Sequence, residues 1–228
     1  MDDKFQRLKL LIGAENFQKL SAATVAVFGV GGVGSFTVEA LARSGVGHLV
    51  LIDKDNIDAT NINRQIHALS STVGKSKVEV MRERILDINT AAQVDTIQKF
   101  LLPSEPVEDF FICRYDYVVD AIDTITAKIF LIEQCNLRGI KIISSMGAGN
   151  KLDATRFKVA DIFQTSVDPV AKILRKKLRD KEIERLKVVY SDEPPRPVKD
   201  GIGSVAFVPS VAGLILAGEV IKDLIARN

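Results

Sequence analysis

The chain is poor in cysteine, has no long uninterrupted apolar run and carries almost no net charge. Each scarcity removes a class of function. Its two cysteines, Cys113 and Cys135, stand far apart and form no C-x-x-C pair, which excludes a structural zinc site of the usual spacing. Neither is placed like a nucleophile. Cys135 shares a face with Leu131 in a predicted helix over 127–138, and Cys113 ends the apolar run Phe110-Phe111-Ile112, so both are expected to be packed. The most apolar stretch, 204–221, is interrupted by Pro209 and contains Glu219, which fits a buried C-terminal helix better than a membrane span. Lysine and arginine number 31 against 29 acidic residues, a net charge of +2, so no global field points to nucleic acid. No basic-then-apolar leader is present, and Met1-Asp2-Asp3 reads as a cytoplasmic start. No internal repeat is evident.

What is present begins with glycine. Gly29-Val30-Gly31-Gly32-Val33-Gly34 follows the apolar run Val25-Ala26-Val27-Phe28 and opens an amphipathic stretch from Ser35 to Ser44. Strand, glycine turn and helix together make G-x-G-x-x-G a nucleotide site, because the backbone can approach phosphate and the helix N-terminus offers free N–H groups. Asp53 closes the next apolar run, Leu49 to Ile52, where a carboxylate would meet a ribose hydroxyl. This pattern specifies a nucleotide without saying which one.

The residues that follow narrow the choice. A diphosphate has little need of a cationic cluster, yet the chain continues Asp53-Lys54-Asp55, Asn61-Ile62-Asn63-Arg64-Gln65 and Gly74-Lys75-Ser76-Lys77. Later, Asp120-Ala121-Ile122-Asp123 ends the apolar run Tyr117-Val118-Val119. Arg64, Lys77 and a carboxylate at a strand end are the parts that hold a triphosphate with Mg²⁺, Asp123 carrying the metal. Any one of them alone would be an ordinary solvated charge. Their shared position, just after predicted strands or at the start of the next helix, argues otherwise.

At 228 residues, 46% hydrophobic and 26% charged, the chain suffices for one α/β domain with a substantial core. A short helix is predicted over 2–13, followed by strands near 24–29, 48–53, 93–98, 116–120 and 141–145. Helices near 33–44, 74–89 and 124–138 alternate with them, which predicts a Rossmann-like, doubly wound, mostly parallel sheet. Past Met146 short strands near 156–160, 187–190 and 204–208 are expected to be antiparallel, with helices over 168–185 and 211–227. The Pro-rich stretch 191–203 is expected to be a mobile loop. Residues 1–150 thus form a nucleotide-binding half and 151–228 a substrate and dimer half of a single domain. The segment from Lys172 to Lys187 is dense in cations, among them Arg175, Lys176, Lys177 and Arg179. It reads either as a solvated helix face or as a track for RNA phosphates. His67 and His48 read as structural.

Taken in order, G-x-G-G-x-G, D-x-D, N-x-N-R-Q, G-K-x-K and D-A-I-D make the chain similar to the ubiquitin-activating-enzyme-like (ThiF-type) adenylyltransferases, which include activators of the molybdopterin and thiamine sulfur-carrier proteins. Four features resemble most the branch of tRNA threonylcarbamoyladenosine dehydratases. They are Ile66-His67-Ala68-Leu69, Gly147-Ala148-Gly149, Thr165-x-x-Asp168-Pro169, and the ending from Gly203-Ser204 to Pro209-x-x-x-Gly213. The likeness runs from about Phe5 to the last helix. The chain departs from many superfamily members in lacking two C-x-x-C pairs and any cysteine in its C-terminal third, which argues against sulfur transfer and thioester chemistry.

The missing C-x-x-C pairs lead to the expectation of no zinc, while the resemblance implies ATP and Mg²⁺. It implies that Gly29, Gly31, Gly32 and Gly34 form the adenosine and α-phosphate turn, that Asp53 holds the ribose, and that Asn61, Arg64 and Lys77 hold phosphates. Asp55 and Gln65 complete the ATP site, and Asp123 binds Mg²⁺ or positions the attacked phosphate. Arg7 matches an N-terminal arginine sent into the partner subunit's site, so a homodimer is implied. The implied reaction is ATP-dependent dehydration, by cyclisation, of N6-threonylcarbamoyladenosine in tRNA through an acyl-adenylate. Lys172, Arg175, Lys176 and Arg179 would touch the RNA, no membrane takes part, and there is room for a sulfur-relay protein partner. Two alternatives stay open: adenylation of the C-terminus of a sulfur-carrier or ubiquitin-like protein, and a nicotinamide-dependent dehydrogenase, for which only the glycine turn and Asp53 speak.

Overall fold

Strands β1 (Thr24–Phe28), β2 (His48–Ile52) and β4 (Tyr117–Asp120) are short runs rich in Val, Ile and Leu, and nearly all of their residues are buried. Burial on both faces is the signature of a parallel sheet covered on two sides. The computed structural model describes residues 3–226. With β3 (Gln93–Ile97), β5 (Ile142–Ser145), β6 (Phe157–Asp161) and β7 (Lys187–Ser191), the strands form one seven-stranded sheet in the order β3-β2-β1-β4-β5-β7-β6. Every pairing is parallel except β6 with β7.

Three crossover helices, α3 (Gly34–Arg43), α4 (Lys77–Ile88) and α5 (Ile125–Leu137), join the strands of the first half. The two-residue period of β1 divides the core. Val25 and Val27 face a cluster with Val38 and Leu41 of α3 and Leu216 and Val220 of α7 (Phe207–Ile225). Ala26 and Phe28 face the opposite layer, with Leu131 and Cys135 of α5. A third cluster joins Ile132 to Leu174 and Leu178 of α6 (Pro169–Arg179) and to Val188 of β7. Among the described residues, no helix is long and apolar enough to cross a membrane.

Several elements differ from expectation. The N-terminal helix is two helices, α1 (Gln6–Ile12) and α2 (Ala14–Ala22), broken at Gly13, whose φ of 84° no helix accommodates. Its expected start at Asp2, and the expected end of the last helix at Arg227, lie outside the described residues. The strand expected at 204–208 is absent. Proline is tolerated in a helix's first turn, where no N–H is required, so α7 begins at Phe207 with Pro209 just inside it. Asp168 and Pro169 start α6 as expected, its carboxylate accepting from the Ala171 amide, but the helix ends at Arg179 rather than near 185. There Glu182 turns to a φ of 55°. Of the C-terminal strands β6 alone is antiparallel, since β7 runs parallel to β5. Cys135 is buried as expected, but Cys113 is exposed, because the apolar run it ends is half in solvent.

Candidate active site

The strand order reverses between β1 and β4, and at the carboxyl ends of these strands a cavity of about 460 Å³ opens. Such a reversal is where the loops of a doubly wound sheet part and leave room for a ligand. The glycine turn forms its floor. Gly29 has a φ of 87°, and a Cβ there would stand 2.6 Å from the Ala121 carbonyl oxygen. A Cβ on Gly34 would overlap the Gly29 carbonyl oxygen, so this glycine lets α3 pack against the turn from behind the cavity. Gly31 and Gly32 line the cavity itself, and a Cβ on Gly31 would meet nothing nearer than Gln65 Nε2 at 3.8 Å.

Asp53 ties the turn to β2. Its Oδ2 accepts from the Val30 amide at 2.7 Å and its Oδ1 from the Asp55 amide at 2.9 Å. Asp55 Oδ2 in turn lies 2.9 Å from Nζ of Lys77, a buried lysine in the first turn of α4. Asn61 sits in a 3₁₀ turn capped by Asp58 and accepts from the Asp58 amide, which leaves its NH₂ group for a ligand. The Arg64 guanidinium is steadied by the Thr60 carbonyl at 2.8 Å and by Asn63 Oδ1 at 2.9 Å. Gln65 is buried, and its Oε1 has no partner among the described residues. Asp123 is exposed on the opposite lip, with one oxygen accepting from Thr124 Oγ1 at 3.2 Å.

The cavity thus brings together Gly29, Gly31, Gly32, Asp53, Asp55, Asn61, Arg64, Gln65, Lys77 and Asp123. Gly34 lies behind it. Arg7 is exposed on α1 and is not among the lining residues, and neither are Lys172, Arg175, Lys176 and Arg179 of α6. Two of those four are already engaged within the chain, Arg175 with Thr165 and Arg179 over the Phe163 ring at 5.3 Å. Lys172 and Lys176 are exposed.

No group of three or more His, Cys, Asp or Glu side chains placed to hold a metal ion occurs among the described residues. Mg²⁺ does not require one, because it binds through one or two carboxylates plus substrate phosphates and waters. Of the three carboxylates lining the cavity, Asp53 and Asp55 are taken up by backbone amides and Lys77, whereas Asp123 spends a single oxygen on its neighbour. The donor set fits a phosphate-bound Mg²⁺ at Asp123.

Residues that sequence reasoning missed complete the walls. Lys128 of α5 is buried, its Nζ 3.0 Å from Oδ2 of the fully buried Asp120. The same carboxylate accepts from Ser144 Oγ at 2.5 Å and from the Ile122 amide at 3.1 Å, so it fixes the Ala121–Asp123 lip. The available signal was a lone lysine beside the apolar run 129–132, eight residues past a strand-end aspartate. Lys99, Phe100 and Leu101 form the side wall, with Lys54 Nζ 4.3 Å from the Phe100 ring centroid. His67 is buried outside the cavity. Its pKa is pushed down to about 4, chiefly by burial and further by the Lys77 and Arg84 cations, so it is neutral at neutral pH.

The ThiF family model matches residues 5–228. The tRNA threonylcarbamoyladenosine dehydratase of Bacillus subtilis is 49% identical over 241 aligned residues, covering 97% of this chain and 94% of that protein. Crystal structures of the Escherichia coli tRNA N6-threonylcarbamoyladenosine dehydratase TcdA, one in complex with AMP and one with ATP, superpose with a TM-score of 0.92 at 36% identity. They cover 98% of this chain and 94% of theirs. The adenylyltransferase and sulfurtransferase MOCS3 of Culex quinquefasciatus is more distant, 34% identical over 58% of this chain and 30% of its own length.

Proposed function

The chain belongs to the ThiF family, and from that membership we propose that it catalyses ATP-dependent dehydration of N6-threonylcarbamoyladenosine in tRNA, in the cytoplasm. The observation that carries this reading is the convergence of the glycine turn, the Asn61, Arg64 and Lys77 donors and the Asp123 carboxylate on one cavity at the switch point. Together they suit a triphosphate rather than a dinucleotide.

A carboxylate is a poor electrophile, and ATP remedies this. The threonyl carboxylate oxygen attacks the α-phosphate, pyrophosphate leaves, and an acyl-adenylate forms. A nucleophile within the same threonylcarbamoyl group then attacks the activated carbonyl, loses its proton and expels AMP. The ring closes with net loss of water, whose oxygen departs on AMP. Arg64, Lys77 and the Asn61 amide would hold the phosphates and the charge that builds on pyrophosphate, while the turn at 31–33, which lines the cavity, would present backbone N–H groups. Mg²⁺ on Asp123 would neutralise phosphate charge. The acceptor is delivered already tethered, so proximity supplies much of the rate and no enzyme thiol is needed. The buried Cys135, whose thiol pKa is pushed up by burial, has no part in it.

The active unit on this reading is a homodimer in which Arg7 of each subunit completes the site of the other. In support, α1 buries none of its residues and leaves Leu10 and Leu11 each 82% exposed. The decisive experiment is nucleoside mass spectrometry of threonylcarbamoyladenosine-bearing tRNA incubated with the protein, Mg²⁺ and ATP. Loss of one water that requires ATP, with one ¹⁸O passing from a labelled carboxylate to AMP, is the expected result. Unchanged RNA alongside ATP–pyrophosphate exchange on another carboxylate would move the substrate to a protein or metabolite.

A further inference from the structure

Apart from Asp123 after β4, the residues proposed to bind the nucleotide lie on the side of the cavity formed by β1, β2 and the start of α4. The other half is walled by Met146, Gly147, Ala148, Gly149, Val170, Ile202 and Ser204. This wall carries no glycine turn of the phosphate-binding kind and no strand-end acid, so on the proposed reading it faces the acyl substrate. What holds it is a buried ion pair, neither member of which lines the cavity.

Lys151 and Asp168 have side chains 1% and 0% exposed, with Nζ to Oδ2 at 3.1 Å. The ammonium also donates to the Gly147 carbonyl at 2.7 Å and to the Ser191 carbonyl at 3.4 Å. One cation therefore joins the segment after β5, the end of β7 and the turn before α6. Asp168 spends its other oxygen on the Ala171 amide, and its Oδ2 lies so near Gly147 that a Cβ there would come within 3.3 Å. The residues flanking Lys151 extend the clamp. Asn150 exchanges hydrogen bonds with Gly203 in both directions, at 2.8 Å and 2.6 Å, and accepts from the Arg196 amide at 2.7 Å. The Glu193 carboxylate accepts from the Leu152 and Asp153 amides. The segment carrying Ile202 and Ser204 is thereby pinned to the same frame.

A strained turn stands at the same point. Val167, 53% exposed, has a φ of 64°, and the Asp168 amide bonds the Ser166 carbonyl at 2.6 Å across it. A β-branched residue in this conformation persists only where its surroundings over-determine it, and such strain gathers at functional sites. Here the buried carboxylate of Asp168 is the anchor.

We propose that Lys151 and Asp168 are a positioning pair for the acyl-substrate half of the site, setting where the Gly147–Gly149 wall meets the substrate carboxylate. This rests on the adenylation reading. Two variants test it: Asp168→Asn keeps the size and the helix cap but not the charge, and Lys151→Met keeps the length. Should Lys151→Met fail to fold, Asp168→Asn alone carries the test. The expected result for Asp168→Asn is ATP affinity within twofold of wild type, with turnover of modified tRNA lowered at least tenfold through kcat or the KM for RNA. Amide hydrogen exchange should rise at 147–150 and stay unchanged at 29–34. Three results would overturn the pair's role: parallel loss of ATP affinity and turnover, a lowered melting temperature with unchanged kinetic constants, or unchanged exchange at 147–150. A wild-type protein that converts no modified tRNA would remove the underlying reading as well, which separates that failure from these.

Discussion

At the residue scale, two glycines in one turn have opposite jobs and should respond differently to the same methyl group. Gly34 packs its Cα against the Gly29 carbonyl oxygen, where a Cβ cannot fit without moving α3 off β1. Gly31 faces open cavity. Gly34→Ala should cost several kcal/mol, roughly the scale of severe overpacking, and yield little folded protein. Gly31→Ala should melt within a few degrees of wild type while weakening ATP binding at least tenfold, because the methyl group occupies space the phosphates need. Thermal melts with calorimetric ATP titrations check both. The cavity-lining residues were legible because most of them follow a strand or open a helix. Lys128 and Lys151 were not. Asp120 lies only eight residues before Lys128 and Asp168 seventeen after Lys151, yet nothing in either spacing says that the two side chains are buried against each other.

At the scale of elements, the strands and crossover helices of the first half fall within one to three residues of their expected bounds, because fully buried β-branched runs and amphipathic helices carry distinct periods. The failures cluster where one residue redirects the chain. Gly13 divides α1 from α2, Pro209 sits inside α7 instead of after a strand, and Glu182 follows the early end of α6. The shortened α6 bears on RNA. It buries Ala171, Leu174 and Leu178 and turns Lys172, Lys176 and Lys177 to solvent, while Arg175 is committed to Thr165. Among the described residues, the cations this helix exposes without a hydrogen-bonded commitment elsewhere are led by these lysines, with Arg179 stacked on Phe163 at its end. Replacing Lys172 and Lys176 by Gln should raise the KM for tRNA several-fold and flatten its salt dependence. The slope of log K against log salt should fall by roughly 0.7–0.9 for each phosphate that is no longer neutralised. The KM for ATP should stay put. An unchanged salt slope would return this face to ordinary solvated charge.

At the scale of the whole molecule, stability and assembly each carry a prediction. The unfolded chain protonates His67 near its ordinary pKa of 6.5, whereas the folded chain resists until about pH 4. Between those values the unfolded state binds more protons, so stability is full above pH 6.5 and falls as pH drops toward 4, by at most about 3 kcal/mol. His67→Phe should flatten the melting temperature between pH 7 and 5; an equal slope in both proteins would assign the loss elsewhere. Assembly is the larger question, because α1 is a seven-residue helix with no buried residue. So short a helix is marginal without something to pack against, and its exposed leucines supply the apolar face for a partner. If Arg7 acts across a two-fold interface, Arg7→Ala and Asp123→Ala homodimers should both be nearly inactive, each lacking a different part of every site. Mixed and exchanged, they form heterodimers in which one site takes its Asp123 from the Arg7→Ala subunit and its arginine from the Asp123→Ala subunit. The other site lacks both. Random pairing of equal amounts makes half the dimers mixed, each with one intact site of two, so activity should recover to about a quarter of wild type. No recovery after demonstrated subunit exchange would confine Arg7 to its own chain and leave α1 a surface helix.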